Sequence, residues 1–200
     1  MTTLLQLKTS LFADNSQSNQ LSDAFVERWL DAHPGGRSVT RDLAAQPVPH
    51  LDQATFQAFL TPPEARDAEQ SARAARSDEL IAELQAADVL LIGLPMYNFG
   101  VPSTLKAYFD HVARAGITFR YTEHGPQGLL SGKKAYVVAT RGGRHAGTAF
   151  DTQSTFVRHF LGFIGITEVE FIYAEGLNLG DDSKAAGLAE AHVALARLAA

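Results

Sequence analysis

Met96, Tyr97, Asn98 and Phe99 place a soft thioether, two flat rings and a carboxamide in four consecutive positions. Rings and sulfur offer stacking surfaces, and the amide offers both a donor and an acceptor, so the set suits a flat heterocycle with a polar edge. Pro95 and Pro102 bracket the stretch and Gly100 lies inside it, so residues 95–101 read as a rigid loop. Several of its backbone N–H groups have no evident strand or helix partner. Two other stretches have chemistry to offer. Residues 9–18 (TSLFADNSQS) are dense in hydroxyls and amides, among them Ser10, Ser16, Gln17 and Ser18. Thr140-Arg141-Gly142-Gly143 carries a glycine pair through which backbone amides can approach a ligand closely, and His145 follows it. That histidine has the ionisation range to pass a proton or donate a hydrogen bond to a substrate, although in such a loop a plain surface histidine is the commoner case.

Composition narrows the chemistry. The chain of 200 residues has no cysteine, which removes disulfides, thiolate metal ligands and thiol nucleophiles, and no metal-ligand pattern takes their place. A hydrophobic content of 46% and the lack of any linker-like composition shift fit one α/β domain over residues 1–200. The net charge is −5 and the basic residues are scattered, so a nucleic-acid partner is not expected. No apolar run approaches the ~20 residues of a bilayer span, and the N-terminus lacks a basic segment followed by an apolar one. The expectation is a cytoplasmic protein with no membrane partner and a small ligand.

The elements that must position these residues follow from periodicity. Val89-Leu90-Leu91-Ile92 reads as a strand buried on both faces, the mark of a parallel sheet covered by helices. It ends at the Pro95 loop, and in open α/β sheets ligands bind outside the carboxyl ends of the strands. Residues 3–8 form a first strand, followed by the hydroxyl-rich loop and a helix on which Leu21, Phe25 and Trp29 recur, with Ser18 as its N-cap. Strand, polar loop and helix N-terminus together suit a monoester phosphate. Residues 38–43 form a second strand, residues 46–63 hold four prolines with little periodicity, and residues 64–87 form a helix with Leu80, Ile81 and Leu84 inward. Residues 102–115 form a helix ended by Gly116. Residues 117–133 make a small hairpin over the sheet edge, residues 135–140 a strand, 155–165 a helix and 169–174 a fifth strand. Asp181 or Asp182 opens a C-terminal helix. The predicted fold class is α/β, a flavodoxin-like, doubly wound, five-stranded parallel sheet of order 2-1-3-4-5 with helices on both faces. No Gly-x-Gly-x-x-Gly follows a strand, which disfavours a dinucleotide-binding sheet.

Four segments carry a resemblance over nearly the whole chain: Ser16-Gln17-Ser18-Asn19-Gln20-Leu21-Ser22, Pro95-Met96-Tyr97-Asn98-Phe99, residues 113–123 (ARAGITFRYTE), and Phe160-Leu161-Gly162-Phe163-Ile164-Gly165. In these the sequence resembles the FMN-dependent NAD(P)H azoreductases, which also act as quinone reductases. The resemblance implies FMN with its phosphate on Ser10, Ser16, Gln17 and Ser18. The flavin ring would lie between Pro95, Met96, Tyr97, Asn98 and Phe99 on one side and Thr140, Arg141, Gly142 and Gly143 on the other. Thr140 departs from the serine usual in the family but keeps the hydroxyl. The resemblance further implies a homodimer with pockets at the subunit boundary and Tyr121 and Phe163 as aromatic walls for substrate; periodicity alone places Phe163 in the core and Tyr121 at an edge.

The implied reaction is two-electron hydride transfer from NADH or NADPH through FMN to a quinone or azo compound, in ping-pong order, with azo cleavage to two amines. Since the cofactor carries the hard chemistry, no triad or strong base is needed. Two other classes share the fold: a flavodoxin-type electron-transfer protein, which would be a strongly acidic monomer, and a non-catalytic flavin-binding scaffold.

Overall fold

In the computed structural model, which describes residues 2–199, five parallel strands form one sheet. They are β1 (Thr3–Lys8), β2 (Arg37–Asp42), β3 (Val89–Pro95), β6 (Lys134–Thr140) and β7 (Glu168–Ala174), in the order β2-β1-β3-β6-β7. The hairpin of β4 (Phe119–Thr122) and β5 (Gly125–Gly128) stands outside that sheet as a separate antiparallel pair. With the hairpin set aside, this is the expected 2-1-3-4-5 order, and the chain reverses its winding direction between β1 and β3.

The central strands alternate between two buried cores. Leu90, Ile92 and Leu94 of β3 pack with Leu5, Leu7 and Val137 on one face, while Leu91 packs with Leu4 and Val138 on the other. A side-chain period of two with both faces covered is why these strands read as continuous hydrophobic runs. On the first face lie α3 (Ala68–Ala86), α4 (Ser103–Val112) and α5 (Thr152–Ile164), contributing Leu80, Leu84, Leu105, Phe109, Val157 and Leu161. On the second lie α1 (Gln17–Ala32) and α6 (Asp181–Leu198), with Leu21, Phe25, Trp29, Ala191 and Leu195.

Helix α3 opens at Ala68 after its Asp67 cap, later than expected, and four further boundaries depart from expectation, each for a local reason. The N-cap of α1 is Ser16, whose side chain accepts from the Asn19 amide, so Ser18 is one of the first helical residues instead of the cap. A helix, α2 (Gln53–Leu60), occupies the proline-rich segment; Asp52 caps it by accepting from the Thr55 amide. Helix α4 stops at Val112, short of Gly116, because the Thr118 hydroxyl donates to the Val112 carbonyl (2.6 Å) and accepts from the Arg114 amide (2.9 Å). Helix α5 starts three residues before the expected position, where the Asp151 carboxylate accepts from the Ser154 amide.

The hairpin joins the body by its main chain. A Cβ added at Gly128 would fall 2.1 Å from the Gly165 nitrogen, and Leu130 N donates to the Ile164 carbonyl at 2.9 Å. Only a residue without a side chain allows that approach.

Candidate active site

Three loops leave the carboxyl ends of β1, β3 and β6 and converge beside the reversal point of the sheet. The first is tied down by Thr9, whose hydroxyl donates to the Gly93 carbonyl at 2.6 Å. Ser10 Oγ lies 3.0 Å from the Tyr97 hydroxyl, and the Leu11 amide donates to that same hydroxyl at 3.2 Å. Tyr97 thus bridges two loops through its oxygen while its ring stands edge-on to Phe12, 6.2 Å away. At the start of α1, Ser16 Oγ and Ser18 Oγ are 2.9 Å apart. The Gln17 and Ser18 amides have no acceptor among the described residues. These N–H groups sit at the positive end of the helix dipole, which makes the turn an anion cradle.

The second loop is tighter than its composition suggests. Met96 N donates to the Thr140 carbonyl (3.0 Å), extending the ladder beyond the strand end. Tyr97 and Gly100 then exchange both backbone hydrogen bonds, at 3.2 and 2.9 Å, around Asn98 at φ +50° and Phe99 at φ +62°. This is a two-residue turn with both central residues left-handed, the geometry usually reserved for Asn-Gly. Phe there costs of order 1–2 kcal/mol. Of the amides expected to be free, Met96, Tyr97 and Gly100 are paired; those of Asn98 and Phe99 have no partner among the described residues.

The third loop is locked by a buried arginine. The Arg141 side chain has no exposed surface; it donates to Asp151 (2.6 Å), Glu175 (3.0 Å) and Ser154 (3.0 Å), and its guanidinium lies 5.1 Å from the Tyr173 ring centre. Glu175 also accepts from the His145 and Ala146 amides, each at 2.9 Å. Burial pushes the Asp151 carboxyl up, but the hydrogen bonds from Arg141 and Ser154 outweigh it and hold the group below the usual carboxylate range. Arg141 therefore faces the site with its backbone alone. Gly142 and Gly143 are closely overlaid by neighbouring side chains: a Cβ would meet Asn178 Nδ2 at 2.6 Å and His145 Nε2 at 2.7 Å respectively, so a larger residue would have to push those side chains aside.

Between the loops runs an open cleft of about 200 Å³. Of the residues expected from sequence, Ser10, Ser16, Gln17, Pro95, Met96, Tyr97, Thr140, Arg141 and Gly142 line it. Ser18, Asn98, Phe99, Gly143 and His145 do not line it but lie within the same loops. The side chain of Phe99 is 55% exposed, packs edge-on to His145 at 5.8 Å and lies 6.1 Å from Phe150. It also lines a neighbouring apolar cavity of about 460 Å³ with Val101 and Phe156. Tyr121 and Phe163 are elsewhere: both pack on Phe119, at 5.5 and 4.3 Å, and Tyr121 is 75% exposed.

Sequence reasoning missed Leu177, Asn178 and Lys184, which line the cleft from the β7–α6 loop and the first turn of α6. The signal was available, since β7 also ends on this side and its loop is Glu175-Gly176-Leu177-Asn178.

Comparison with known proteins agrees with this architecture. The family model described as flavodoxin-like fold matches residues 2–198. An FMN-dependent NADH:quinone oxidoreductase of Cellvibrio japonicus is 56% identical over 92% of this chain and 93% of its own length. FMN-dependent NADH:quinone oxidoreductase 6 of Burkholderia lata is 54% identical over 98% and 99%. The crystal structure of an azoreductase from Bacillus anthracis superposes with a TM-score of 0.91 at 28% identity, covering 100% of this chain and 99% of that one. A doubly wound sheet with three ligand-facing loops at its reversal point, and relatives of this identity along almost the whole length, establish that the chain belongs to the flavodoxin-like family of FMN-dependent NADH:quinone oxidoreductases.

Proposed function

We propose that this protein is an FMN-dependent oxidoreductase that takes a hydride from NADH and reduces quinones and azo compounds in two-electron steps. The observation that carries the reading is the cleft itself, with an anion cradle at one end and a ledge of main chain and flat side chains at the other. The residues fit FMN on their own chemistry. The unpaired Gln17 and Ser18 amides and the Ser10, Ser16 and Ser18 hydroxyls suit a monoester phosphate. The ledge of Pro95–Tyr97 opposite Thr140–Gly142, where Arg141 and Gly142 present main chain, suits a flat ring. Bound FMN would supply the hydride chemistry, accepting from NADH and delivering to the acceptor.

The residues around it bind, orient and stabilise. Asn98 and the free amides of its turn are donors available to a ring edge that becomes more negative on reduction, which favours paired electrons over single ones. Donor and acceptor take turns in one stacking slot, a ping-pong order, and an azo bond needs two such turns to yield two amines. We place His145 as a proton donor through its position beside Phe99 and Gly143. We read residues 1–200 as one FMN-binding domain acting in the cytoplasm, beside the pool of its electron donor. No helix among the described residues is long and apolar enough to cross a membrane.

We also propose a homodimer. The Phe119–Tyr121–Phe163 cluster lies apart from the cleft of its own chain and leaves Tyr121 open, which suits a wall offered to a second copy's slot. The purified protein should show a flavin spectrum that bleaches under anaerobic NADH and recovers on adding a quinone. NADPH run in parallel reads the donor preference, and a bound flavin that NADH does not bleach would defeat the catalytic reading in favour of a scaffold. For the shared slot, Phe163→Ala should raise KM for the acceptor while FMN stays bound. A fully active monomer by light scattering would refute the dimeric pocket.

A further inference from the structure

The left-handed pair Asn98–Phe99 needs a restraint that its own side chains do not supply, since Asn98 is exposed and the Phe99 ring is more than half exposed. That restraint comes from underneath. Gln153, the second residue of α5, is 1% exposed, and its Nε2 donates to the Pro95 carbonyl at 3.0 Å and the Gly100 carbonyl at 2.8 Å. Those carbonyls mark the entry and exit of the turn. The neighbouring Thr152 hydroxyl donates to the Phe99 carbonyl between them. A carboxamide can meet two carbonyl oxygens only through its NH2 group, so the partners fix its orientation. Its Oε1 is buried without a hydrogen-bond partner, a cost that an apolar residue of the same shape would not carry.

We propose that Gln153 is a positioning residue for the active site. By setting the span between Pro95 and Gly100 it holds Asn98 and Phe99 left-handed and aims the two unpaired amides and the Asn98 carboxamide at the ligand. The identity of that ligand rests on the flavin reading above; the clamp itself does not.

The test compares Gln153→Met, which keeps the length and removes both donors, with Gln153→Glu, which keeps the shape and replaces NH2 by oxygen. Hydrogen exchange at the Tyr97 and Gly100 amides of the FMN-free protein reports the turn directly, because each bonds across it. In Gln153→Met both amides should exchange about tenfold faster or more, with β3 and α5 amides close to the parent. Gln153→Glu should behave the same way near neutral pH, where a carboxylate faces the two carbonyls. It should recover partly in acid, where the protonated carboxyl donates one bond. In the FMN-loaded protein the flavin absorption band should shift, and reduction by NADH should slow about fivefold or more with KM for NADH little changed. Unchanged exchange at Tyr97 and Gly100 in Gln153→Met would overturn the proposal. So would acceleration spread evenly over β3 and α5 in both variants, since Gln153 would then be supporting the core and not the turn. Failure of the parent protein to bind FMN, with exchange in the variants as expected, defeats the flavin reading and upholds the clamp; loss of FMN in the variants alone is what the clamp entails.

Discussion

Arg41 and Arg141 sit in matching places, near the carboxyl ends of β2 and β6, and each guanidinium is held by two carboxylates. Arg41, on the edge strand, pairs with Glu79 at 2.6 Å and with Glu83, both on α3. Arg141, three strands over from that edge, pairs with Asp151 and Glu175. The partners differ in their access to water: the side chains of Glu79 and Glu83 are 48% and 26% exposed, those of Asp151 and Glu175 9% and 13%. Remove Arg41 and its carboxylates turn to solvent. Remove Arg141 and two charges stay buried, with the His145 and Ala146 amides and the α5 cap depending on them. The same residue type in the same pattern is a surface clip in one place and the joint between two active-site loops in the other.

Replacing Arg141 by Met is the strongest test of that contrast. Stranding the buried carboxylates should cost about 3–5 kcal/mol, which for a chain of this size lowers Tm by about 10 °C, and FMN should be lost on dialysis. Thermal denaturation and flavin content on one sample measure both; a fall in Tm with full flavin retention would break the link between this cluster and the site. Arg41→Met comes next, at about 1 kcal/mol or a Tm change of about 2–4 °C, with flavin content and NADH oxidation as in the parent. An equal loss in the two variants would erase the contrast.

Acidification separates the clusters by sign and window. Hydrogen bonding from Arg41 holds Glu79 below its ordinary 4.5, and Asp151 is held below its ordinary 3.8. Both groups have lowered values in the folded protein, so each contributes fully above its unfolded value and loses that contribution as pH falls through the folded one. Urea midpoints measured from about pH 5 down to about pH 3 should therefore decline for the parent. In Arg41→Met the early part of that decline should flatten, and in Arg141→Met the later part. The smallest effect is that of salt. Raising ionic strength to about 1 M shortens the screening length to about 3 Å, which should shrink the stability gap of Arg41→Met by a few tenths of a kcal/mol and leave that of Arg141→Met in place. A gap for Arg141→Met that closes with salt would mean its carboxylates reach water after all.

What could be read from sequence follows the range of the forces. Strands β1, β3, β6 and β7, their order, and the loops carrying Ser10, Ser16, Met96 and Gly142 came from local hydrophobic runs and punctuation by glycine and proline. Helix α2 went unread because its apolar set Phe56, Phe59 and Leu60 spans only two turns between pairs of prolines, and the structure leaves Phe56 and Leu60 exposed with only Thr55 and Ala58 buried. The partners of Arg141 lie 10 and 34 residues away, and Gln153 lies 58 and 53 residues from the carbonyls it holds. No spacing rule connects residues at such separations. Tyr97 was legible as a residue of the loop that lines the cleft but not as a hydroxyl bridge to Ser10, because that bridge belongs to the convergence of two loops.

The seam between Gly128 and Gly165 has a consequence for how this enzyme can diversify. Main chain meets main chain there, and the tip residues Tyr121–Gln127 take no part in the packing of the parallel sheet. The tip behaves as a cassette: its sequence and length can change while the glycine hinge keeps the attachment. On the shared-slot reading, grafting a different tip between Phe119 and Gly128 should retune which acceptors are turned over at an undiminished melting temperature, so a lineage could explore new substrates by editing the eight residues between them or fewer.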